Sequence, residues 1–88
     1  MRILELKEGF VRTRRVHAPH SSLADKAVRG VLIQLASERS TLPLPGDEEA
    51  LRTPCTVIWA HKVPGTNLVV TYAFELPTVE ILTVRPAW

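Results

Sequence analysis

Four side chains in the second half of the chain carry acid–base or anion-handling chemistry: His61, Lys62, Tyr72 and Arg85. A histidine with an unperturbed pKa of ~6.5 can take or give a proton near neutral pH. Lys62 and Arg85 are suited to holding a phosphate, the arginine through paired hydrogen bonds. Tyr72 can stack on a base or donate its phenolic proton. Arg52 lies just ahead of the group. Each also has an ordinary reading: His61 and Lys62 as strand-end residues beside a turn, Tyr72 as a core aromatic, Arg85 as a solvated cation. Strand parity limits how many can meet, because successive side chains point to opposite faces. His61 shares a face with Val57 and Trp59, and Lys62 shares one with Thr56 and Ile58. The two therefore diverge unless a bulge intervenes. By the same parity Arg85 lies with Ile81 and Thr83.

A second concentration of charge sits near the start. Net charge is only +2, but residues 1–30 hold Arg2, Lys7, Arg12, Arg14, Arg15, Lys26 and Arg29 against Glu5, Glu8 and Asp25. Arg12, Arg14 and Arg15 form its densest point. Such a patch suits nucleic acid or an acidic partner, and equally a solvated helix face. His17 and His20 flank Ala18-Pro19, too few ligands for a metal site, so no metal or cofactor is expected. The lone Cys55 excludes an intrachain disulfide and a cysteine-cluster metal site, and fits a reducing, cytoplasmic setting. It reads as a small apolar residue rather than a nucleophile. Trp59 reads as core or sheet packing, and Trp88 as packing back on the sheet or meeting a partner.

These residues must be positioned by one small domain, 1–88. A chain of this size buries roughly 60–65% of its unfolded surface, enough for a modest core. No run approaches the ~18 apolar residues of a membrane span, and no secretory leader is visible. Residues 1–6 read as a short strand and 7–17 as a basic helix that stops before Pro19. Ser22 reads as the cap of a longer helix, with Asp25 in its first turn. Leu23, Ala27, Val31 and Leu35, with Ala24, Val28 and Leu32, form its apolar stripe. Gly30 weakens that helix and suggests close packing there. Residues 41–49 read as an acidic, proline-rich loop, and 47–52 as at most one helical turn. Three strands follow: 56–63, then 68–75 after the Pro64-Gly-Thr-Asn67 turn, then 79–85. The expected fold is α+β, in the order β-α-α-β-β-β, an antiparallel sheet with both helices on one face.

That order, with Val63-Pro-Gly-Thr-Asn-Leu-Val-Val-Thr-Tyr72, Thr78-Val-Glu-Ile-Leu-Thr-Val84 and Phe10 ahead of Arg12, Arg14 and Arg15, resembles the RelE/ParE family of bacterial toxins. The layout of the long helix and Leu42-Pro-Leu-Pro-Gly46 is similar too. The resemblance implies a toxin of a toxin–antitoxin system, bound by a cognate antitoxin protein. It implies either ribosome-dependent cleavage of messenger RNA without metal or cofactor, or non-catalytic binding of a protein such as DNA gyrase. On the first branch His61, Lys62, Tyr72 and Arg85 become the catalytic set, and Arg12, Arg14, Arg15 and Arg52 contact RNA. His61 would be the acid or base, Lys62 and Arg85 would hold the phosphate, and Tyr72 would stack or donate a proton. A small RNA- or protein-binding module using the Arg12–Arg15 face is a third, unrelated reading. It predicts strongly salt-dependent binding to nucleic acid.

Overall fold

In a computed structural model that describes residues 2–87, the chain forms β1 (Ile3–Leu6), α1 (Glu8–His17), α2 (Leu23–Ala36), β2 (Glu48–Arg52), β3 (Val57–Lys62), β4 (Leu68–Glu75) and β5 (Thr78–Pro86). The fold is α+β, as expected, but the sheet has five strands in the order β1-β5-β4-β3-β2. The expected order β-α-α-β-β-β lacked β2. The sheet is also mixed rather than antiparallel, because β1 runs parallel to β5 while every other pairing is antiparallel. The intervening elements supply the long crossover a parallel pair requires.

The unexpected strand comes from Glu-Glu-Ala-Leu-Arg, a composition that locally favours helix. Ladder pairing with β3 overrides that preference. All five residues are exposed, so β2 gains nothing from a hydrophobic face of its own. Its charges and the bulge between Glu49 and Leu51 fit an edge strand guarded against further pairing.

A second irregularity lies between β4 and β5. Thr71 pairs with Thr83, but Tyr72 pairs with Ile81, which leaves Leu82 as an extra residue. Ile81 therefore faces the core while Arg85 faces the other side. This corrects the parity that grouped Arg85 with Ile81.

One face of the sheet is covered. Phe10 of α1 and Val28, Val31 and Leu35 of α2 pack with Val70, Tyr72, Val79, Ile81 and Val84 of the sheet. Trp59 is partly buried against this core. Leu23 falls outside the expected stripe. It is 84% exposed because it opens the helix before the chain reaches the core.

Specific contacts dock the helices. Ser22 caps α2 through the Asp25 N–H at 3.0 Å. Arg2 binds the carbonyls of Ser37 and Ser40 just beyond the α2 C-terminus, where a cation is favoured. Thr13 Oγ1 accepts the Val84 N–H at 3.0 Å and donates to the Gly9 carbonyl. A helix side chain thus satisfies the edge of β5 beyond the end of β1. Gly9 permits this approach, since a Cβ there would lie 2.9 Å from the Leu82 carbonyl oxygen. Gly30 plays no such part, because a Cβ there meets nothing within 4 Å. Gly65 has φ +76°, as the Pro64-Gly65 turn requires. Cys55 is exposed in the loop between β2 and β3, not packed as a small apolar residue. Trp88 lies outside the described residues.

Candidate functional site

The structure divides the four sequence-predicted residues between the two faces of the sheet. Lys62 pairs with Val69, and Val69 with Arg85, so one row across β3, β4 and β5 reads Lys62-Val69-Arg85. All three side chains point to the face without helices. Two strand spacings place the Lys62 and Arg85 backbones roughly 10 Å apart. Both residues are exposed, and among the described residues neither joins an ion pair.

These two cations line a groove of about 460 Å³ together with Gly46, Glu48, Val69 and Pro86. Glu48 is the member that sequence reasoning missed. It pairs with Ala60, two residues from Lys62 on the same face, so its carboxylate enters the groove from the edge strand. Only the β2–β3 register reveals this. A helical turn or a solvated acidic loop would scatter the side chain elsewhere. The groove thus gathers the Glu48 carboxylate and two cations on an open, solvent-accessible surface, with Glu49, whose carboxylate is held by Arg52, also in its wall.

His61 and Tyr72 lie on the covered face. His61 pairs with Val70, and Trp59 with Tyr72. Asp47 immediately precedes β2, and extending the register from Glu48 and Ala60 places it opposite His61. Its carboxylate, 1% exposed, accepts from His61 Nδ1 at 2.5 Å through one oxygen and from the Tyr72 hydroxyl through the other. The Tyr72 oxygen in turn accepts the Leu44 N–H at 3.1 Å. Burial, reinforced by the neighbouring Asp47, pushes the Tyr72 phenol well above its ordinary 10.0. Tyr72 is fully buried, so it neither stacks on a base nor yields its proton to a ligand in the groove. This network ties the 42–47 loop to the middle of the sheet.

The arginines expected to contact RNA are also distributed. Arg12 pairs with Glu8 at 2.9 Å along α1, and Arg52 pairs with Glu49. Arg14 binds the buried Asp25, which also receives Arg29 at 3.1 Å. Arg15 is exposed and, among the described residues, unpaired. Among the described residues no group of three or more His, Cys, Asp or Glu side chains is placed to hold a metal ion. Among the described residues no helix is long and apolar enough to cross a membrane.

No family model, no curated protein and no solved structure matches the chain.

Proposed function

We propose that the chain is a toxin of the RelE/ParE type that cleaves messenger RNA in the groove on its open sheet face. The observation that carries this reading is the meeting of Glu48, Lys62 and Arg85 in one groove. Strand cleavage through the 2′-hydroxyl needs a base, cations for the developing phosphate charge, and an acid for the leaving oxygen. The Glu48 carboxylate takes the 2′-hydroxyl proton as the O2′–P bond forms. Arg85 holds the non-bridging oxygens. The Lys62 ammonium gives a proton to O5′ as the P–O5′ bond breaks. The products are a 2′,3′-cyclic phosphate and a 5′-hydroxyl end. His61 and Tyr72 act as structural residues in this scheme. The ribosome presents the message, and a cognate antitoxin restrains the protein until it is released.

A specific observation favours a second reading. His61, the residue best suited to proton transfer at neutral pH, is tied to Asp47 on the far face. A groove without it can serve binding alone, with Lys62 and Arg85 gripping an acidic segment of a protein target such as gyrase. Purified protein added to translating ribosomes separates the two. Cleavage that Glu48→Gln abolishes supports the nuclease. Intact message beside growth arrest that depends on Lys62 and Arg85 supports the binding protein.

A further inference from the structure

A cleft on the helix side, remote from the groove, has its own charge pattern. It has a volume of about 270 Å³ and lies between α1 and the start of α2. Its floor is apolar, made by Leu6, Phe10 and Val11. Its rim carries Arg14, Arg15 and Arg29. One carboxylate, Asp25, organises the rim and is 2% exposed. Its Oδ1 accepts from Arg14 Nε at 3.2 Å and Nη2 at 2.9 Å, while its Oδ2 pairs with Arg29 Nε at 3.1 Å. Arg14 is further fixed over the Phe10 ring, 5.6 Å from its centroid.

This arrangement leaves donors free. Among the described residues, Nη1 of Arg14, Nη1 of Arg29 and the whole Arg15 guanidinium have no protein partner. Three guanidiniums face one carboxylate, an excess of two positive charges beside an apolar floor. The two arginines held by Asp25 need little further ordering to meet a ligand, which removes part of the usual entropic cost of binding. Arginine forks match the oxygens of a phosphate.

We infer that this cleft is a binding site for a phosphate monoester carrying an apolar or aromatic group. The dianion matches the excess charge, and the attached group covers the exposed side chains of Leu6 and Val11, beneath which Phe10 is buried. The source is either a small metabolite or the terminal phosphate of a nucleotide. The site is independent of the cleavage groove, from which the sheet separates it.

Isothermal titration of the full chain with inorganic phosphate, phenyl phosphate and a 5′-mononucleotide tests this. Phenyl phosphate is expected to bind more tightly than inorganic phosphate. Arg29→Ala and Arg15→Ala remove exposed side chains and are each expected to weaken it about tenfold or more. The Lys62→Ala/Arg85→Ala variant is expected to bind unchanged, so this result stands or falls apart from the nuclease reading. Binding of the mononucleotide above phenyl phosphate identifies a nucleotide source, and the reverse a small metabolite. No binding at millimolar phenyl phosphate, or binding lost only in the Lys62→Ala/Arg85→Ala variant, overturns the inference.

Discussion

The carboxylate of Asp47 and the imidazole of His61 meet at 2.5 Å across the start of the β2–β3 pairing, with the carboxylate sealed from solvent. This contact makes His61 a clasp for the 42–47 loop. Replacing Asp47 by Ala strands the buried Tyr72 hydroxyl and the His61 Nδ1 donor together. The expected cost is about 2–4 kcal/mol, read as a lowered urea midpoint with unchanged slope. Tyr72→Phe removes one donor to Asp47 and the acceptor of the Leu44 N–H, and is expected to cost about 1–3 kcal/mol.

The two glycines of the helices behave oppositely. Gly30→Ala fills open space on α2 and is expected to raise stability by up to about 1 kcal/mol. Gly9→Ala drives a methyl to 2.9 Å from the Leu82 carbonyl, so α1 must shift and lose the Thr13 bond to β5. Its expected effect is destabilisation of about 1–3 kcal/mol, despite the better helix propensity of alanine. Thermal melts of the two variants beside the parent chain decide both signs.

Stability is expected to fall at both ends of the pH scale, for different reasons. Burial works to raise the Asp25 carboxyl, but Arg14, the Ser21 N–H and Arg29 outweigh it and hold it below its ordinary 3.8. A depressed carboxyl stabilises the fold above its unfolded pKa, and that contribution is lost as pH falls through the folded value, below about pH 4. The raised Tyr72 phenol contributes fully below its ordinary 10.0, and that contribution is lost as pH rises towards its folded value. Urea titrations across pH check both, with Asp25→Asn flattening the acid limb and Tyr72→Phe the alkaline one.

Much of this architecture is legible in the chain itself. The Ser22 cap, the Pro64-Gly65 turn and the apolar runs of β4 and β5 declare themselves because local chemistry and tertiary position agree. Three features do not. β2 is made of residues that prefer helix, and only its partner strand holds it. The Leu82 bulge is invisible to a strict two-residue alternation, yet it decides that Arg85 joins Lys62. Asp47 reads as one more solvated acid, and its pairing with His61 and Tyr72 appears only when three strands are laid side by side. Of the three residues of the candidate site, Lys62 and Arg85 are legible from residue type and Glu48 is not.

Salt dependence tests the groove as an RNA-binding surface. Two phosphate contacts predict a shallow slope of log K against log salt, about −1.4 for single-stranded RNA. Lys62→Ala/Arg85→Ala is expected to flatten it, and Arg12→Ala, whose side chain is paired with Glu8, to leave it unchanged. Filter binding to a short single strand at several salt concentrations reads both.

On the proposed reading the open-face groove, not the His61 face, cleaves RNA. The most direct measurement is induced expression in bacteria with mapping of messenger RNA 5′ ends, comparing the parent chain with Glu48→Gln and His61→Gln. Growth arrest with new 5′-hydroxyl ends inside reading frames is the expected result. Those ends are expected to drop ~10²-fold or more for Glu48→Gln and to persist in folded His61→Gln. Intact messages under the parent chain, or cleavage that survives Glu48→Gln and disappears with His61→Gln, contradicts this reading.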